Sequence, residues 1–112
     1  MHTVVETPSF IASAKAEGMT EGEVRAAVDA IASNPQLGDP IVGTGGCRKF
    51  RLAGKGKGKS GGYRIVSFYS GPALPVFLVA VLAKGSRANF SKAERNEMAR
   101  MVKAIVRAFG EQ

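Results

Sequence analysis

Three strand-length runs follow one another in the middle of the chain: "CRKFRLA" (47–53), "GYRIVSFYS" (62–70) and "PVFLVAVLAK" (75–84). The links between them are too short for the crossover of a dozen or more residues that parallel neighbours need. The three runs must therefore form an antiparallel meander. Within the first, Phe50 and Leu52 share one face while Lys49 and Arg51 share the other. The third is apolar almost throughout, which predicts a central strand covered on both faces.

What precedes and follows the meander is helical. "TVVE" (3–6) is a short alternating strand signal, and in "TPSF" Thr7 is placed to cap a helix with Pro8 at its first position. That helix stops by Gly18. Thr20 and Glu23 form a capping box for a second helix, whose apolar face is Val24, Ala27, Val28 and Ile31 and whose end is marked by Asn34-Pro35. Residues 35–46, "PQLGDPIVGTGG", read as turn chemistry. After the meander, "SKAE" (91–94) is another capping box. A stripe of Met98, Met101, Val102, Ile105 and Phe109 follows, with Gly110 at the C′ position. The expected order is β-α-α-β-β-β-α. This is an α+β fold with a mostly antiparallel four-stranded sheet and helices packed on it. At 112 residues it is expected to be a single domain, 1–112.

The charge is distributed very unevenly. Residues 1–46 sum to −4 and residues 65–112 to +4, while residues 47–64 alone carry +7 and contain no acid. A solvated surface normally mixes its signs. A block this one-sided repels itself until a polyanion neutralises it, so RNA, DNA or an acidic protein is the natural partner. The longest apolar runs fall far short of a membrane span, and "MHTVVETPSF" lacks the pattern of a secretion signal; the expected location is the cytoplasm.

Several chemistries are excluded. "GKGKGKS" looks like a phosphate-binding P-loop, but that pattern needs glycine where Ala53 stands and a helix where a strand follows. One cysteine, Cys47, and one histidine, His2, make neither a zinc site nor a disulfide, and His2 lies at a terminus expected to be mobile. Cys47 reads as a small half-buried residue. The acids lie mainly in the first 46 residues, apart from the basic block, so a two-metal nuclease is disfavoured. No metal or cofactor is expected. The tools that remain for work on a polyanion are lysine, arginine, hydroxyls and tyrosine.

Those tools suffice for RNA cleavage, because the substrate brings its own 2′-OH nucleophile. The protein must take the hydroxyl proton, stabilise the charged phosphorane and supply a proton to the departing 5′-oxygen. Arginines clamp the developing charge, and a lysine crowded by other cations favours its neutral form and can act as a base.

The segments "GDPIVGTGGCRKFRLAGKGKGKSGGYRIVSFYS" and "VFLVAVLAKGSRANFSKAE" resemble the RelE/HigB toxins of bacterial type II toxin–antitoxin systems. The nearer likeness is to the HigB branch, with its G-T-G-G-x-R-K-x-R and K-G-K-G-K-x-G-G-x-R segments. The resemblance covers nearly the whole chain. It implies a ribosome-dependent mRNA endoribonuclease that inhibits translation and is silenced by a cognate helix-turn-helix antitoxin. Carried over by position, it makes Arg64, Lys84, Lys49 and Arg51 the expected catalytic residues. Arg48, Lys55, Lys57 and Lys59, with Arg87 and Phe90 beyond the last strand, become the expected RNA- or ribosome-binding residues. One departure stands out. Where the RelE branch has "GKR" and a nearby tyrosine, this chain has "AKGSRANF". Phe90 offers a stacking ring but no hydroxyl, which leaves the general base unassigned.

Blander readings stand beside these. The loop lysines fit a solvated turn, Arg64 a surface strand arginine and Lys84 a strand-end solubiliser. Tyr63 and Tyr69 fit half-buried sheet aromatics, and Arg100, Lys103 and Arg107 fit the outer face of the last helix. As a whole, the chain also fits a non-catalytic basic RNA- or ribosome-binding module, a toxin relic. A toxin of the same fold with a protein target such as DNA gyrase is disfavoured by the cation-rich strand, and only by analogy.

Overall fold

The structure, a computed structural model, describes residues 1–54, 62–83 and 90–110. In chain order the elements are β1 (Val4–Glu6), α1 (Pro8–Ala16), α2 (Glu21–Ser33), β2 (Asp39–Pro40), β3 (Cys47–Ala53), β4 (Gly62–Phe68), β5 (Val76–Ala83) and α3 (Lys92–Gly110). The strands form one sheet in the order β1-β5-β4-β3-β2. The pairs β2–β3, β3–β4 and β4–β5 are antiparallel, and β1 joins the far edge parallel to β5. The sheet has five strands where four were expected. The extra one, β2, is two residues drawn from the stretch read as turns, too short to show any period of its own.

The predicted caps form. Thr7 Oγ1 accepts the Phe10 N–H at 3.1 Å, with Pro8 opening α1. At the start of α2, Thr20 and Glu23 exchange their hydrogen bonds in full, as Ser91 and Glu94 do before α3. Gly110 is the last helical residue rather than the position after it.

The sheet separates two cores. On one face, α1 and α2 pack Phe10, Ala27 and Ile31 against Phe50, Tyr63, Ile65 and Leu78. On the other, α3 packs Met98, Val102 and Ile105 against Cys47, Val66, Phe68, Phe77 and Val79. Strand β5 is buried on both faces, as its sequence demanded. Because β1 is so short, α1 completes the edge of β5. Thr7 Oγ1 donates to the Leu78 carbonyl at 2.8 Å, and the Val81 N–H donates to Ser13 Oγ at 2.9 Å. A bulge at Val66/Ser67 shifts the β4–β5 register midway along.

Cys47 is more buried than expected, at 1% exposure. The backbone N–H of His2 donates to the Ala32 carbonyl, and its ring meets that of Tyr69 edge-on at 5.0 Å.

Candidate nucleic-acid interface

Alternation along β3 turns Cys47, Lys49 and Arg51 toward the face that carries α3, while Phe50 and Leu52 turn toward α1 and α2. Strand β4 repeats the arrangement. Tyr63 and Ile65 enter the first core, and Val66 and Phe68 the second, so Arg64 shares the α3 face. The ladder then fixes who meets whom: Arg51 lies opposite Arg64, and Lys49 opposite Val66. At the Cys47–Phe68 end of this face lies the second core, in which α3 packs. Toward the other end stand three cations, with Arg51 exposed and Lys49 and Arg64 half-buried. The sheet, a rigid element, thus holds the three together.

A groove of about 470 Å³ runs here, lined by Leu37, Gly38, Asp39, Lys49, Phe50, Arg51 and Arg64. Lys49 also borders a second groove of about 580 Å³, shared with Pro40, Val42, Phe90, Lys92 and Arg95. Like charges placed directly opposite across strands repel, so the Arg51–Arg64 pair gains from an anion placed between them.

Asp39 is the residue the sequence reading missed. The acids were expected to stand apart from the basic block. Instead β2 pairs Asp39 with Lys49 and brings a carboxylate to the rim of the cation groove. The approach is closely constrained. Gly38 has φ +96°, and a Cβ there would sit 2.2 Å from the Lys49 carbonyl oxygen, so only glycine lets β2 lie this near. Arg48 Nη1 donates to the Gly38 carbonyl at 2.9 Å and holds the segment in place. Beyond it, Thr44 closes the return loop, donating to the Ile41 carbonyl at 2.7 Å and accepting the Cys47 N–H at 3.0 Å. No local pattern in "LGDP" announces any of this.

The other expected site residues fare differently. Arg48 alternates to the opposite face from Lys49 and Arg51 and engages the backbone of the β2 segment. Phe90 is 7% exposed and belongs to the second core. Its ring lies 5.5 Å from the Lys49 ammonium, within cation–π range, rather than open to a base. Lys84, Arg87, Lys55, Lys57 and Lys59 lie outside the described residues.

The remaining reactive groups are structural. Burial pushes the Cys47 thiol up to about 11, against a smaller opposing effect of Thr44. Tyr63 is buried and donates to Glu23 Oε1 at 3.1 Å. Burial, and then the Glu23 carboxylate, raise its phenol above the ordinary range. Tyr63 is thus a core anchor between β4 and the start of α2. Among the described residues, no three His, Cys, Asp or Glu side chains converge to hold a metal ion, and no helix is long and apolar enough to cross a membrane.

The fold is a small α+β domain that gathers cations on the part of one sheet face that α3 leaves uncovered, with α1 and α2 on the opposite face. Residues 2–112 match the family model described as the RelE toxin of the RelE/RelB toxin–antitoxin system, and the chain belongs to that family. The fold is similar to that of an arginine-to-alanine double mutant of E. coli toxin RelE in the free state. That likeness has a TM-score of 0.59 at 20% identity and covers 93% of this chain and 97% of the other.

Proposed function

We propose that this RelE-family toxin is a metal-independent mRNA endoribonuclease of the HigB branch. In this reading it acts on the ribosome, arrests translation and is held silent by a helix-turn-helix antitoxin. The observation that carries the reading is the convergence of Lys49, Arg51 and Arg64 on the sheet face that α3 leaves uncovered. Arg51 and Arg64 clamp the scissile phosphate and stabilise the charge of the phosphorane. Lys49, on the rigid strand beside them, protonates the departing 5′-oxygen. Lys84 is the further expected catalytic cation. Lys55, Lys57 and Lys59, with Arg87, supply sequence-independent grip on rRNA or mRNA phosphates. Arg48 acts indirectly, by fixing the β2 segment. The site of action is the cytoplasm.

Primer extension on a translated message after induction tests this. Breaks inside translated codons are expected. They should persist when purified protein acts on programmed ribosomes in chelator with ribosome integrity verified, and they should vanish in Arg64→Ala. Chelator-sensitive cleavage sinks the metal-free mechanism, and unchanged cleavage by Arg64→Ala sinks the site.

One observation favours the alternative of a non-catalytic ribosome-binding relic. Phe90, the aromatic that follows the last strand, lacks a hydroxyl and is buried. That reading predicts salt-sensitive binding with no cleavage product.

A further inference from the structure

The geometry points to Asp39 as the general base of this site, the group that takes the 2′-OH proton. The inference rests on the endoribonuclease reading above and supplies the role that reading leaves empty. Three observations carry it. First, the ladder sets Asp39 directly opposite Lys49, on the same face of the sheet, and directly opposed residues have their Cβ atoms about 5 Å apart. Second, Asp39 lines the same groove as Lys49, Arg51 and Arg64, and among the described residues it is the only acid in that lining. Third, the carboxylate stands on a backbone with little freedom. Gly38 is pressed against the Lys49 carbonyl and bonded through its own carbonyl to Arg48, and Pro40 follows.

The electrostatics make the placement costly for any protein that only needs to grip RNA. A carboxylate within a phosphate-binding groove repels the ligand, and a surface selected for affinity alone would hold a neutral or cationic residue there. An acid does help a site that must remove a proton. Lysine and arginine are poor acceptors while charged, whereas a carboxylate accepts directly when it lies within hydrogen-bond reach of the hydroxyl. An Asp39 carboxylate oxygen takes the 2′-OH proton, and the 2′-oxygen's electron pair forms a bond to phosphorus. The bond from phosphorus to the 5′-oxygen breaks, and that oxygen takes a proton from the Lys49 ammonium. The products are a 2′,3′-cyclic phosphate and a 5′-hydroxyl. Solvent exchange then restores the Asp39 carboxylate and the Lys49 ammonium.

The test uses purified protein on ribosomes programmed with an mRNA. Single-turnover cleavage and ribosome binding are measured separately for wild type, Asp39→Asn and Asp39→Glu. Asp39→Asn should lower the cleavage rate at least about 100-fold, the usual scale of a lost general base. Its binding should be unchanged or tighter, because an acid has left a cation groove. Asp39→Glu should recover part of the rate. Asp39→Asn cleaving within threefold of wild type overturns the assignment and leaves the endoribonuclease reading standing. So does a fall in rate matched by an equal fall in binding. No cleavage by the wild type overturns both, and that outcome shows in the wild-type arm alone.

Discussion

Arg51 and Arg64 occupy directly opposed positions on adjacent antiparallel strands, two arginines where a sheet built for stability would set a cation against an acid. A phosphate bound between them is held by both charges. Arg51→Ala, at an exposed position, should leave the melting temperature nearly unchanged while weakening RNA binding. The log–log salt dependence of binding should flatten by about one unit for each arginine removed. Cleavage should fall at least about 100-fold in Arg64→Ala. Thermal melts and salt titrations on the same preparations check both halves.

Gly38 and Gly18 give a paired test of how β2 is held. Both have positive φ, but a Cβ at Gly18 meets nothing within 4 Å, whereas at Gly38 it collides with the backbone of Lys49. Gly18→Ala should cost about 1 kcal/mol through strain alone. Gly38→Ala should cost more, roughly 2–3 kcal/mol, and should detach β2 from β3. The Ile41 N–H, which donates to the Cys47 carbonyl at 2.8 Å, reports on that detachment through faster hydrogen exchange. Cleavage should fall with it, because Asp39 leaves the groove.

The helix starts were legible because capping is local. Thr7-Pro8, Thr20 with Glu23 and Ser91 with Glu94 each carry their whole hydrogen-bond logic within four residues. The three long strands and the shared face of Lys49 and Arg51 were legible from period alone. Strand β2 was not, since two residues have no period and their pairing depends on Gly38 meeting a carbonyl eleven positions away. Asp39 was missed for the same reason, because only the fold reveals its neighbours. The fate of Phe90 was equally hidden. It follows a basic stretch, yet it is packed with Cys47 and Met98 in the second core.

Ser67 and Thr44 are both buried hydroxyls, at 1% and 0% exposure, in opposite circumstances. Thr44 makes two hydrogen bonds. Ser67 Oγ, at the β-bulge, has none among the described residues. Removing an unpartnered buried hydroxyl relieves a desolvation cost, and removing a partnered one leaves orphans behind. Ser67→Ala should therefore stabilise by about 1 kcal/mol, and Thr44→Val should destabilise by about 2 kcal/mol. Urea midpoints at constant m-value give both.

Two buried weak acids predict loss of stability at alkaline pH. Cys47 titrates near 11 in the folded chain against an ordinary value of 9.0, and the Tyr63 phenol is raised above 10.0. For each, the folded state holds its proton to higher pH than the unfolded state does. The unfolded chain therefore binds fewer protons in that window, and stability falls as pH rises. The contribution of Cys47 is complete below about pH 9 and gone above about pH 11, a loss of roughly 2–3 kcal/mol. That of Tyr63 begins to fall near pH 10. Cys47→Ala should flatten the first part of the decline and Tyr63→Phe the later part. Each should also lower stability at pH 7, through a small cavity and through a lost bond to Glu23 respectively. Urea unfolding from pH 7 to 11 separates the two. A decline in the Cys47→Ala variant as steep as in wild type between pH 9 and 10 would show that the thiol is not its source.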